Sequence, residues 1–262
     1  MLTTIHFRIH HHHLLLIAIL ALLLNACSTL PRQTGLMSED NLLARAQSAE
    51  EHGDFENAAN YYLQLVNQSS TLKQDEYRLQ ASRVLLKGNY INRAEQILQL
   101  IDDNALHEQQ RIRKRVMQAR VEIARNNYRQ ALDYLSFKLG RSIPDDLRAE
   151  VYSVLATAYE HNKQLIEAAR YHFLRADLLT DESKRVEAQQ AGWQLLSLVP
   201  DAILASTSAG NDEFGGWLAL SRLARQVRTA QLDMASALAT WRQQYPQHPV
   251  ADEIIASLLA RK

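Results

Sequence analysis

The side chains in this sequence with the most obvious chemical potential are one cysteine and a set of histidines. Cys27 is the only cysteine, which excludes an intramolecular disulfide and a multi-cysteine metal site. No two of the histidines downstream of it stand four residues apart, the spacing that aims a pair at one metal ion from a helix. These histidines are His52, His107, His161, His172 and His248. We therefore predict no metal site.

The sequence patterns of common catalytic machinery are also missing. The chain contains neither a Walker-type nor a Gly-x-Gly-x-x-Gly phosphate loop, no His-Glu-x-x-His zinc motif and no Gly-x-Ser-x-Gly nucleophile turn. No pair of acidic residues stands in a recognisable catalytic arrangement. We predict that the protein is not an enzyme and uses no cofactor.

The densest local charge is the run Arg-Ile-Arg-Lys-Arg at 111–115. It is a candidate partner-binding patch, suited to an acidic protein surface or to glycan-strand peptides. The candidate residues are Arg111, Arg113, Lys114 and Arg115. The alternative is a solvated helix face balanced by the nearby Glu108 and Glu122. Because the chain carries 29 basic and 29 acidic residues, nucleic acid is not an expected partner.

Residues 1–26 have the three parts of a secretory leader. Arg8 and several histidines form the polar start, an apolar core occupies 14–24, and small residues lead to Cys27. The core has 11 residues, against the roughly 20 that a membrane-spanning helix needs. The histidine run at 10–13 lies upstream of the core and would be removed with it. We expect cleavage between Ala26 and Cys27.

The residues Leu-Asn-Ala-Cys at 24–27 resemble a bacterial lipobox. That resemblance implies lipidation of Cys27, and Ser28 in place of Asp resembles the outer-membrane sorting signal of such lipoproteins. Several acyl chains would make the anchor effectively permanent. Residues 27–37 then form a tether that reaches at most about 33 Å. The expected location is the periplasmic face of the outer membrane.

The remaining residues, 38–262, predict an all-α domain. Gly (8) and Pro (5) are too scarce for a β-sandwich or barrel. Four segments share one pattern, in which a Gly or Asn turn precedes a bulky residue and then an alanine. The alanines are Ala58, Ala94, Ala131 and Ala168, spaced by 36, 37 and 37 residues. This period is close to the 34 residues of tetratricopeptide repeats and predicts a solenoid of helical hairpins.

The pattern assigns specific roles within each hairpin. Gly53, Gly88, Asn126 and Asn162 mark the turns, where a left-handed residue ends the first helix. The bulky residues Phe55, Tyr90, Tyr128 and Leu165 plug the seam, and the alanines allow close helix approach. We predict hairpins at 39–68, 72–102, 105–139 and 145–179, then helices at 182–199, 213–228, 231–245 and 249–261. The Ala/Ser/Gly-rich segment 201–212 is expected to be a connection.

Three tryptophans lie in the last 70 residues. Trp193, Trp217 and Trp241 are expected to plug a helical core, and a carbohydrate-stacking surface is the alternative. Gly215 and Gly216 indicate either a close helix contact or a bend.

The segments around these tryptophans resemble the N-terminal domain of the LpoA family. They are Ala-Gly-Trp-Gln-Leu-Leu at 191–196, Gly-Trp-Leu-Ala-Leu-Ser at 216–221 and Trp-Arg-Gln-Gln-Tyr-Pro-Gln-His-Pro at 241–249. The resemblance implies an outer-membrane lipoprotein that activates a class A penicillin-binding protein, a bifunctional peptidoglycan synthase. It also implies a second, α/β domain that contacts the synthase. The sequence ends at Lys262, so we expect a truncated or split gene product or a shortened relative. The other hypothesis is a generic tetratricopeptide lipoprotein that scaffolds another envelope assembly.

Overall fold

The computed structural model describes residues 37–230, 233–250 and 255–256. The predicted leader, Ala26, Cys27 and the tether up to residue 36 therefore lie outside the described residues, as does most of the predicted helix 249–261. Residues Glu39–Lys262 form one compact unit, and every helix named below belongs to it. The described residues contain helices and no strands, which confirms the all-α prediction. None of their helices is long and apolar enough to cross a membrane.

Twelve α-helices and one short 3₁₀ turn make up the described part of the chain. The helices are α1 Glu39–Glu51, α2 Phe55–Gln68, α3 Thr71–Lys87, α4 Ile91–Gln99, α5 Glu108–Ala124, α6 Tyr128–Tyr134, α7 Asp145–His161, α8 Leu165–Ala176, α9 Glu182–Leu198, α10 Asp201–Ser206, α11 Glu213–Ala230 and α12 Met234–Gln244. The 3₁₀ turn, Asp103–Ala105, lies between α4 and α5. The first eight helices pair into the four predicted hairpins, although α6 is only seven residues long.

All four hairpins turn through the same backbone motif. A residue with positive φ follows the first helix, and the next residue caps the second helix with φ between −95° and −85° and ψ between 56° and 68°. In each turn the capping residue donates its N–H to the carbonyl five residues back, as Asp54 does to Ala49 at 2.8 Å and Gln164 to Tyr159 at 2.9 Å. This is the Schellman arrangement, which satisfies carbonyls at the end of a helix.

The left-handed residues are Gly53, Asn89, Asn126 and Lys163. The sequence prediction is therefore wrong by one residue at Gly88 and at Asn162, which have negative φ. Gly88 has another role, because a β-carbon there would lie 2.7 Å from the Cβ atom of Phe55. It allows the second hairpin to approach the first.

The position of the left-handed residue in the second turn also changes which residue fills the seam between its two helices. Tyr90 is the N-cap of α4 and is 42% exposed, so it does not plug the hairpin. Ile91 occupies the position equivalent to Phe55, Tyr128 and Leu165, and it packs against the core. The four alanines are confirmed, since each lies three residues into its helix after that position and is completely buried.

Neighbouring hairpins contact each other in two ways. The first helices of successive hairpins touch, and the second helix of one hairpin packs on the first helix of the next. α3 contacts α5 and α5 contacts α7, while α2 packs on α3, α4 on α5 and α6 on α7. Stacking buries faces that a single hairpin would leave in water, which is how repeat folds gain stability. The tetratricopeptide-like prediction is confirmed for the region 39–176.

The helices after α8 form a second, non-repeating core. Trp217 and Trp241 are buried, and Trp217 stacks on Phe173 of α8 with ring centroids 4.1 Å apart. The tryptophans therefore fill a helical core, as predicted. The predicted connection 201–212 is partly wrong, because Pro200 opens the six-residue helix α10 and Leu204 of that helix is buried.

Gly215 and Gly216 allow close packing around the sequence motif at 241–249. A β-carbon at Gly215 would overlap the carbonyl oxygen of Gly210, and one at Gly216 would overlap the His248 ring. Trp241 donates its Nε1–H to the Gly216 carbonyl at 2.9 Å, and Tyr245 Oη lies 3.2 Å from the Gly210 carbonyl. The glycine pair is thus a close contact rather than a bend.

Candidate functional site

The basic run on α5 does not form one patch. Lys114 is only 6% exposed, and its Nζ lies 2.8 Å both from the Ile101 carbonyl and from Asp103 Oδ1. It holds the loop before α5 in place. A partner could not reach this ammonium group without breaking those bonds, so the structure removes Lys114 from the exposed surface.

The three arginines of the run divide between two sides of α5. Arg111 donates to the Leu106 carbonyl at 2.8 Å, and the guanidinium of Arg115 lies 5.1 Å from the Phe137 ring centroid. Arg113 points the other way, toward Glu76 of α3 at 3.9 Å. Residues four apart share a face of a helix whereas residues two apart do not, which explains the division.

Arg111 and Arg115 line a surface cavity of about 420 Å³ with Asp103, Asp133 and Tyr134. Two carboxylates therefore balance the two guanidinium groups there. The sequence prediction of a cationic patch remains a prediction, now confined to Arg111 and Arg115 on this side of the helix.

Ion pairs that join successive hairpins are the feature that the sequence reasoning missed. Glu39 pairs with Lys73, Glu50 with Arg83, and Glu56 with Arg93, at 2.7, 2.6 and 2.9 Å. Further along, Arg120 pairs with Glu150 at 3.3 Å and Arg125 with Glu95 at 2.6 Å. Opposite charges about one repeat apart along the sequence were the signal that could have revealed these pairs.

The Glu50–Arg83 pair is the most buried of these contacts. Both guanidinium Nη atoms reach the carboxylate, at 2.6 and 2.7 Å. This hydrogen bonding outweighs the effect of burial and lowers the pKa of Glu50 to about 2. Arg83 is therefore fixed between the first and second hairpins.

A groove runs across α3, α5 and α7, the first helices of the second, third and fourth hairpins. Its volume is about 480 Å³, and we call it the α3–α5–α7 groove. Its apolar lining comes from Leu86, Ile91, Met117, Ile123 and Val154, among others. Its charged lining consists of Arg83, Lys87, Arg120 and Glu150.

The repeat explains why cations recur along the α3–α5–α7 groove. Arg83 and Arg120 each stand six residues before the left-handed residue of their turn, and Thr157 holds the same place in the next hairpin. Equivalent positions on stacked helices project side by side. The groove therefore has three cations and one carboxylate in its lining, over an apolar floor.

The histidines have structural contacts instead of a shared site. His107 caps α5, His161 stacks on Tyr128 at 4.9 Å between ring centroids, and His52 Nδ1 lies 2.7 Å from the Ser48 carbonyl. His172 is half-buried on α8. Within the described residues, no three His, Cys, Asp or Glu side chains are grouped to hold a metal ion.

His248 is the most enclosed histidine. Its Nε2 lies 3.0 Å from the Glu213 carbonyl, and Trp217 and Trp241 contact it edge-on. Burial lowers the pKa of His248 to about 4, so the ring is neutral at neutral pH. A neutral ring fits an aromatic core.

An acidic pair lies where the repeats meet the C-terminal helices. Glu213 begins α11 and interacts with Asp177, which follows α8. Burial and the nearby Asp177 raise the pKa of Glu213 to about 7, and burial also raises the pKa of Asp177. The pair is a pH-sensitive contact between the repeats and the C-terminal helices.

Comparison with known proteins gives one consistent result. A model of the family described as "LppC putative lipoprotein" matches residues 54–260. "Penicillin-binding protein activator LpoA" of Haemophilus influenzae is 26% identical over 148 residues, 56% of this chain and 26% of that protein. The protein of the same name from Edwardsiella ictaluri is 30% identical over 155 residues, 58% of this chain and 23% of its own length.

The fold has a matching solved structure, the E. coli LpoA amino-terminal domain. The TM-score is 0.61 at 22% identity, and the match covers 78% of this chain and 91% of that domain. This likeness establishes the shared helical fold. The chain spans about a quarter of the length of the two curated relatives above.

Proposed function

Because the chain belongs to the LppC putative lipoprotein family, we propose that it is an outer-membrane lipoprotein that regulates peptidoglycan synthesis. In this proposal it binds and activates a class A penicillin-binding protein. The observation that carries the proposal is that the curated relatives above are named penicillin-binding protein activators. Those names favour the activator over the generic scaffold.

The fold supports a regulatory and non-enzymatic role. Stacked hairpins offer long helical faces to a partner. The acidic pair Asp177–Glu213 is bound within a helix junction rather than placed in the groove. The proposal therefore assigns the chemistry of synthesis to the partner.

Cys27 is the proposed anchor, and the bond between Ala26 and Cys27 is the proposed cleavage site. The lipobox-like sequence at 24–27 and the family's description as a lipoprotein support both assignments. Attachment at Cys27 would hold the helical domain on the periplasmic side of the outer membrane, near the glycan strands that the synthase extends.

Two variants test the anchor. Cys27→Ser should release the protein into the soluble periplasmic fraction, because no acyl chain can be attached. Ser28→Asp should keep the lipid but move the protein to the inner membrane. Fractionation with immunodetection distinguishes these results, and outer-membrane retention of the Cys27→Ser variant contradicts the anchor.

Activation is tested with the full chain in detergent and a purified class A synthase. We expect the chain to bind the synthase and to raise the rate at which it polymerises lipid-linked precursor. A heat-denatured sample that lacks helical circular dichroism serves as the control. An unchanged rate in the presence of the folded chain contradicts the proposed activation.

A further inference from the structure

The α3–α5–α7 groove has cationic groups whose hydrogen-bonding capacity is not used within the described part of the chain. Lys87 Nζ makes one bond there, to Glu50 at 3.2 Å, and its side chain is 57% exposed. Arg120 makes one contact, through Nη2 to Glu150 at 3.3 Å. Ammonium and guanidinium groups have three and five N–H donors. Both side chains therefore retain donors that face the groove.

One N–H group of Arg120 also lacks a hydrogen-bond acceptor. Its Nε is buried and has no hydrogen-bond partner among the described residues. A buried N–H without an acceptor is energetically unfavourable. Because this Nε is enclosed, a ligand in the groove would instead bind the Nη donors of Arg120 that Glu150 does not use.

Arg83 has a different role from Lys87 and Arg120. Its two Nη atoms bind Glu50, and its Nε donates to Gln80 at 2.9 Å. The charge of Arg83 is therefore balanced by Glu50, and it has few free donors. The groove cations with donors left over are Lys87 on α3 and Arg120 on α5.

The shape and the lining of the groove define a complementary ligand. Packed helices lie about 8–10 Å apart. Lys87 also stands four residues nearer to its turn than Arg120 does, which is an offset of about 6 Å along the helices, so their backbones lie about 10–12 Å apart. A polyproline II segment advances about 3.1 Å per residue and repeats every three residues, which places residues i and i+3 on one face about 9 Å apart. The apolar floor formed by Met117, Ile123 and Val154 would receive aliphatic side chains between them.

We propose that the α3–α5–α7 groove binds an extended acidic segment of a partner protein, with carboxylates at i and i+3 that contact Lys87 and Arg120. Glu150, the only acidic residue in the groove lining, competes with the ligand for Arg120. This inference does not depend on activation of a synthase.

The test uses fluorescence anisotropy with the full chain in non-ionic detergent. The probe is a fluorescein-labelled peptide of four Glu-Pro-Leu triplets, and the matched peptide has Gln in place of every Glu. We expect the Glu peptide to bind at least about tenfold more tightly, and its affinity to fall as salt is raised.

Three variants assign the binding to the groove. The double change Lys87→Gln and Arg120→Gln should weaken binding of the Glu peptide by about tenfold. Glu150→Gln should strengthen it several-fold, a gain that loss of structure cannot produce. Arg125→Gln is the matched control, because Arg125 lies on the same helix end but pairs with Glu95 outside the groove lining. Circular dichroism checks that each variant is folded.

Either of two kinds of result overturns the proposal. One is a lack of specificity, seen as equal affinity for the Glu and Gln peptides or as equal binding by the Arg125→Gln and double variants. The other is that soluble peptidoglycan fragments bind with this variant pattern while the Glu peptide does not, which would assign the groove to cell-wall peptides. Loss of synthase activation with peptide binding intact would count against the proposed function alone.

Discussion

The repeat region 39–176 and the C-terminal region 177–250 both pack helices closely against one another, but they use different contacts to do so. The repeats reuse one backbone turn four times and tolerate Gly, Asn or Lys at its left-handed position. The C-terminal region uses contacts that occur once, such as Gly215 against Gly210 and Trp241 on the Gly216 carbonyl. Stability is thus distributed in the first region and concentrated in the second.

The largest effect is expected at Gly215. Gly215→Ala forces the β-carbon into the Gly210 carbonyl, so α11 or the loop before it must move. We expect a loss of about 3 kcal/mol in the free energy of unfolding. Hydrogen exchange should accelerate in α11 and α12 before it does in α1–α7.

The control for that variant is Gly140→Ala. Its β-carbon would meet only side-chain oxygens, Glu108 Oε1 at 3.3 Å and Ser142 Oγ at 3.5 Å, so a small change is expected. If Gly215→Ala and Gly140→Ala unfold at the same urea concentration, the stability of the C-terminal region does not depend on the close contact at Gly215.

A somewhat smaller effect is expected inside a repeat. Ala131→Leu overfills a completely buried position where α6 meets α5, and should cost about 1–3 kcal/mol. Gln130→Leu, at the exposed neighbouring position, should cost little. Urea denaturation followed by circular dichroism compares the two, and similar midpoints would mean that the alanine does not set the helix spacing.

The success of the alanine spacing shows what sequence reasoning can achieve here. Ala58, Ala94, Ala131 and Ala168 follow from periodicity, because each repeat places the same small residue at the same close contact. The left-handed residue was misplaced at Gly88, because glycine is the usual choice and Asn89 is the next best one. The structure uses Gly88 for space and Asn89 for conformation.

The candidate site was harder to predict than the fold. The run 111–115 is continuous in the sequence, but the 3.6-residue helical period divides it and the loop at 101–103 buries Lys114. The cations of the α3–α5–α7 groove come from different helices. Only the stacking of hairpins brings Lys87 and Arg120 together.

The junction between the regions should respond to pH. The pKa of Glu213 is about 7 in the folded chain against 4.5 ordinarily, so the folded state binds more protons between these values. Stability from this group therefore falls as pH rises from about 4.5 to 7. Glu213→Gln should stabilise the protein by about 1 kcal/mol at pH 8 and by less at pH 5.

Denaturant unfolding at both pH values measures this effect. Glu187→Gln, which removes an exposed carboxylate on α9, is the control. The same stability gain for Glu213→Gln at pH 5 and pH 8 would show that the acidic pair does not titrate in this range.

The smallest effect is expected at the fourth turn. Lys163 has φ of 64°, a conformation that costs a non-glycine residue about 1–2 kcal/mol. Lys163→Gly should raise stability by less than about 1 kcal/mol, since glycine also loses more entropy on folding. The reverse change, Gly53→Lys, should lower stability by a similar amount. Thermal unfolding compares them, and a loss of stability in Lys163→Gly would contradict equivalence of the four turns.

The proposed function requires this chain to present its helical surfaces to a peptidoglycan synthase. The most direct measurement is photocrosslinking in cells from positions 115 and 157, which sample the Arg115 side of α5 and the α3–α5–α7 groove. We predict that a class A penicillin-binding protein is recovered from at least one position. Abundant crosslinked products that contain no such synthase at either position would contradict the claim.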